Sequence, residues 1–129
     1  MNKILVEVSV GELLDKISIL EIKKEKIKDT ESLKFIKKEY NVLKGELDKH
    51  IKTDEKLKNL FNSLKEINSK LWVIEDDKRK CEKDSDFGEN FIRLSRDVHF
   101  LNDTRAKIKL DINNHTGSKI KEIKEYANY

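Results

Sequence analysis

Apolar residues recur along most of this chain at alternating steps of three and four, the spacing that lines up side chains on one face of an α-helix. The first stripe runs through Leu13, Ile17, Leu20 and Ile27, with Lys24 in the seam and Leu14, Ile19 and Ile22 widening it. It opens on Ser9-Val10-Gly11-Glu12, a capping-box spacing with Ser9 as cap. Lys28-Asp29-Thr30-Glu31 interrupts the pattern, and Asp29 or Thr30 suits a new N-cap. Leu33, Ile36, Tyr40, Leu43 and Leu47 follow, then a second break around Lys52-Thr53-Asp54. The longest seam is Leu57, Leu60, Leu64, Ile67, Leu71, Ile74, Lys78 and Cys81. After Asp84-Ser85-Asp86 the spacing resumes with Phe87, Phe91, Leu94, Val98, Leu101, Arg105, Ile108 and Ile112, and Gly117 is a natural stop.

These stripes predict helices over about 10–28, 30–50, 54–83 and 87–115. A single helix continuing through residue 50 is the alternative to the first two. Lys3 to Val8 is β-branched and extended in character, which predicts a short strand over 3–8. A strand needs a partner, and the tail, with Ile120, Ile123 and Tyr126, supplies one over 119–125 unless it frays as helix. The expected fold is therefore all-α. It is an antiparallel bundle of two helical hairpins with coiled-coil-like seams, plus a minor two-stranded β element pairing the termini.

Composition narrows this further. The chain has 129 residues, enough for one domain, with 41% charged and 36% apolar residues, a mix that suits narrow helical bundles. With no proline and four glycines, a loop-rich β-sandwich is excluded. The 28 basic residues nearly balance the 25 acidic ones, and the interleaving leaves no dense basic face for nucleic acid or acidic membranes. Cys81 stands alone, so neither an intramolecular disulfide nor a cysteine-based zinc cluster is expected. No run approaches the roughly 18 apolar residues of a membrane span, and Glu7 breaks the only apolar run at the start. A cytoplasmic, soluble protein is the expectation.

Chemistry is sparse. Glu12 with Asp15, and Glu122 with Glu125, have the spacing of carboxylate pairs that bind magnesium, but Glu12 is already explained by its cap. His50, His99 and His115 lack ligand spacing, Cys81 has no neighbouring histidine, and no glycine-rich phosphate loop occurs. No catalytic residue, metal or cofactor is therefore expected. What remains is a polar layer within the apolar seams. All four arginines fall between Arg79 and Arg105, and Arg105 occupies a seam position. A buried arginine must be paired. Asp15 and Glu21 on the first helix and Asn68 on the third are its candidate partners, with Asn102 and Asp103 beside it. Turn positions place Ser18, Tyr40, Lys65 and Arg105 level, and Glu75 opposite Arg96. Such a layer either sets helix register or forms an anion pocket from Lys16, Arg96 and Arg105. Trp72, one step off the seam, either packs in the core or anchors a partner.

Several stretches are distinctive as words. They are Val6-Glu7-Val8-Ser9-Val10-Gly11-Glu12-Leu13-Leu14-Asp15-Lys16-Ile17, Leu71-Trp72-Val73-Ile74-Glu75-Asp76-Asp77, Asn102-Asp103-Thr104-Arg105-Ala106 leading to Ile112-Asn113, and Gly117-Ser118 before Glu125-Tyr126. In this order the chain resembles a bacterial and phage family, the domain of unknown function 6165, over nearly its whole length. That family often has Asp-Pro where this chain has Asp29-Thr30, and Tyr where it has His99. The resemblance implies the helical architecture and no chemistry. Two functions are then open: a non-catalytic interaction or scaffolding module with a protein partner or a second copy, and a small-molecule binder or enzyme using an anion or phosphometabolite pocket around Arg105.

Overall fold

The computed structural model describes residues 3–120. Four helices follow one another: α1 (Val10–Lys26), α2 (Thr30–His50), α3 (Glu55–Lys83) and α4 (Glu89–Thr116). The start of α1 and the first two breaks in the hydrophobic pattern are side-chain caps. Ser9 Oγ accepts the Glu12 N–H at 3.0 Å, Asp29 Oδ2 that of Ser32 at 3.0 Å, and Asp54 Oδ1 that of Leu57 at 2.8 Å. Ile27 is extended, which ends α1 after Lys26 and separates it from α2, so the two do not form one continuous helix. Gly88 takes the N-cap of α4, which therefore begins at Glu89 rather than 87. Gly117 closes α4 in the left-handed region at φ 67°.

The architecture is an all-α bundle of two hairpins, α1–α2 and α3–α4. Asp54 meets His115 at one end of the long hairpin, and Asn90 meets Cys81 near its turn, so α3 and α4 run antiparallel. α1 is the hub, because its backbone approaches all three other helices while α2 approaches α1 alone. The core joins Leu14 and Ile17 of α1, Leu47 of α2, Leu57 and Leu64 of α3 and Ile112 of α4. No helix is long and apolar enough to cross a membrane among the described residues.

The expected strand over 3–8 does not form. Residues 3–9 have no regular structure, and Ile4, Leu5 and Val6 are exposed. β-branched residues favour extended backbone, but a strand needs a ladder partner, and none lies beside this segment among the described residues. Of its expected partner, 119–125, Lys119 and Ile120 form no strand and the remainder lies outside the described residues.

α1 approaches α4 closely at Gly11. A Cβ there would lie 2.5 Å from the Lys109 carbonyl oxygen and 3.0 Å from Asn113 Oδ1. The same closeness lets the Gly11 N–H donate to Asn113 Oδ1 at 2.7 Å, while the Val10 N–H donates to Ser118 Oγ at 3.2 Å. These bonds and the Ser9 cap satisfy three of the four donors that a helix start leaves open. Gly11→Ala must push two helices apart and should destabilise the fold by about 1–3 kcal/mol. Gly45→Ala, where a Cβ meets nothing, should instead stabilise it by up to about 1 kcal/mol, the usual helix-propensity gain. Urea unfolding of both variants checks this contrast.

Candidate functional site

Asp15 is the most consequential polar residue of the interior. It is 1% exposed and lies on the face of α1 that meets both long helices. A carboxylate so placed survives only if its lone pairs are occupied. Arg105 of α4 supplies two of its forked donors: Nε donates to Oδ1 at 3.0 Å and an η-nitrogen donates to Oδ2. Asn68 of α3 donates from Nδ2 to Asp15 Oδ1 and to Ser18 Oγ, both at 2.8 Å. Ser18 in turn donates to the Asp15 carbonyl at 2.8 Å. Lys109, one turn beyond Arg105, bonds Glu12 at 2.7 Å and stands 3.8 Å from Asp15. Among the described residues no buried side-chain nitrogen or oxygen lacks a partner. Burial pushes the Asp15 carboxyl up, but the hydrogen bonds from Arg105 and Asn68 and the charges of Arg105 and Lys109 outweigh it. Its pKa is held below the usual aspartate value.

Above this layer a cavity of about 530 Å³ opens between α1, α3 and α4. Ile19, Ile22 and Leu71 form apolar lining, and Trp72, Glu75, Asp76 and Arg79 come from the α3 stripe that begins at Asn68. Asn102 and Arg105 complete it from α4, with Arg105 donating to Asn102 Oδ1 at 3.4 Å. Of the residues singled out by sequence, the structure thus gathers Asp15, Asn68, Trp72, Glu75, Asn102 and Arg105. Trp72 is half-buried in the cavity wall.

The other four lie elsewhere. Lys16 is exposed, next in sequence to Asp15 but turned from it. Glu21 belongs to a separate cluster, accepting from Tyr40 at 3.2 Å and from Lys65 at 3.1 Å, while Lys65 also holds Glu25 at 2.8 Å. Burial and then the Glu21 charge push the Tyr40 hydroxyl up. Arg96 is exposed in a shallow surface groove with Glu89, Arg93 and Phe100, so it faces neither Glu75 nor Arg105. Asp103 is half-buried outside the Asp15 network. The anion pocket of Lys16, Arg96 and Arg105 is therefore not assembled. Sequence reasoning missed Arg79 in the cavity and the Gly11–Asn113 bond. A glycine two residues inside a helix start is the signal that pointed to that close approach.

A second feature lies on the outer face of the long hairpin. Val73, Ile74, Phe100 and Leu101 line an apolar groove of about 670 Å³, flanked by Glu66, Lys70 and Asp97. Val73 and Phe100 remain 49% and 45% exposed, and Ile92 continues the apolar surface along α4. No group of three or more potential metal ligands occurs among the described residues.

The model of a family of unknown function (DUF6165) matches residues 4–129. No curated protein and no solved structure matches the chain.

Arg105→Leu strands the Asp15 carboxylate. It should cost about 3 kcal/mol, the lower end for a broken buried pair because Asn68 and Lys109 still reach Asp15. Adding Asp15→Asn should restore much of that loss, as measured by urea unfolding at neutral pH. Acid titration supplies a second check. Because the folded pKa of Asp15 is depressed, its stabilisation is fully present above the ordinary value of about 3.9 and is lost as pH falls through the depressed one. The acid limb of the stability profile should therefore be shallower in the Arg105→Leu/Asp15→Asn protein than in the wild type.

Proposed function

The chain belongs to the family of unknown function DUF6165, and on that footing we propose that it is a non-catalytic protein-interaction module. Its contact face is the outer surface of the α3–α4 hairpin. The observation that carries this reading is the exposed apolar groove of Val73, Ile74, Phe100 and Leu101. Contiguous apolar surface rimmed by charge is the usual mark of an interaction site. The inner polar layer supports it from the other side. Arg105 already grips Asp15 with two donors, so an anion bound there would compete with a carboxylate fixed in place. The reducing cytoplasm is the setting that suits the single buried Cys81.

A second reading, a small-molecule binder, draws on the cavity beside Trp72, whose volume falls in the range of ligand sites. A thermal-shift screen of phosphorylated metabolites, nucleotides and carboxylates separates the two. A ligand at 100 times its dissociation constant stabilises by about 2.7 kcal/mol.

Phe100→Asp tests the first reading. It should abolish the association of the tagged chain with its partner in light-scattering and co-purification measurements. Stability should change by no more than about 0.5 kcal/mol, since the ring is largely outside the core. Association unchanged in Phe100→Asp, or none in the wild type, would falsify the reading.

A further inference from the structure

The outer face of α3 carries a sign pattern that selects its occupant. From the N-terminal side, the stripe reads Glu66, Lys70, Val73, Asp77 and Lys80, in alternating steps of four and three. Its charges run negative, positive, neutral, negative, positive. Reversing that order exchanges every sign, so the stripe is complementary to its own antiparallel copy at each charged position. A parallel copy would set like charge against like. From these observations we infer that the groove receives a second copy of this chain, with α3 packed antiparallel on α3 and Val73 at the two-fold axis. The inference rests on the interaction reading above and names the partner.

In this arrangement Lys70 of one copy faces Asp77 of the other, and Glu66 faces Lys80. Val73 meets its counterpart, and Phe100, Ile74 and Leu101 widen the apolar centre. A two-fold interface of this kind is self-complementary by construction. Within one chain these charges are held only loosely. Lys70 pairs with Glu66 at 3.6 Å, and Lys80 lies 3.5 Å from Asp76 and 3.9 Å from Asp77, all on exposed side chains. Such pairs contribute little and rearrange easily, so they are available to a partner of matching register. The apolar centre with a charged rim matches the anatomy of protein interfaces.

Sedimentation of the full chain over a dilution series should show a reversible dimer. Lys70→Glu turns two symmetry-related contacts repulsive and should weaken association roughly tenfold. Adding Asp77→Lys to that variant should restore it. Val73→Cys supplies an independent measurement, since the two thiols would face each other across the axis. Under mild oxidation it should cross-link much faster than Val42→Cys, an exposed position on α2. A wild type that sediments as a monomer at every concentration, or equal cross-linking of the two cysteine variants, overturns the inference. A monomer that binds a different protein in a Phe100-dependent manner overturns it while leaving the interaction reading intact. If Phe100→Asp alters no association at all, both fall.

Discussion

The buried carboxylate of Asp15 is the constraint around which the bundle is arranged. Apolar seams hold helices together but tolerate sliding, because one leucine replaces another a turn away at little cost. A buried charge does not tolerate it. Asp15 needs donors from both long helices at once, and it receives them from Arg105 on α4 and Asn68 on α3. A shift of one turn, about 5.4 Å, would take either donor out of reach. The layer therefore fixes the height of α1 against both α3 and α4 in one stroke. Its value is specificity of register more than net stability, since burying two charges is itself expensive.

The start of α1 repeats the same logic with neutral groups. Gly11 lets the backbone of α1 come against α4, and Asn113 and Ser118 take up the N–H groups exposed there. Glu12 then meets Lys109 one turn above Asn113. Three successive polar contacts, at Gly11, Glu12 and Asp15, step along α1 as their partners step back along α4. That order makes the two helices antiparallel. α2 has no part in this ladder; it is held by apolar contacts and by Tyr40 on Glu21.

The helices were readable because their signals are local: a stripe, a cap and a break all lie within a few residues. The Asp15–Arg105 pair was readable as one of two candidate pairs, since an arginine in a seam must find an acid and only Asp15 and Glu21 on α1 were placed to supply it. The rest depended on rotation about helix axes. Arg96 precedes Arg105 by nine residues, about two and a half turns, so the two point to opposite sides of α4. Lys16 is about 100° around α1 from Asp15 for the same reason. Conversely, Trp72, Glu75 and Arg79 follow Asn68 along one stripe and so reach one cavity. The strand over 3–8 was the reverse case. Local β-propensity is visible in a sequence, but the ladder partner that makes it a strand is not.

The two faces of the α3–α4 hairpin differ in what they hold. The inner face is engaged with α1: Asn68 and Arg105 bond Asp15, and Leu64 and Ile112 are buried with Leu14 and Ile17. The outer face leaves Val73 and Phe100 about half exposed, and its Lys70 and Lys80 pair with Glu66 and Asp76 of the same helix. A substitution on the inner face disturbs register first. One on the outer face leaves the Asp15 layer untouched, because the side chains of α3 at positions 68 and 73 diverge by about 140° around the axis. Folding and the proposed recognition would thus be carried by separate stripes of the same helix. The polar interior fixes register, while the proposed contact stripe lies apart from it.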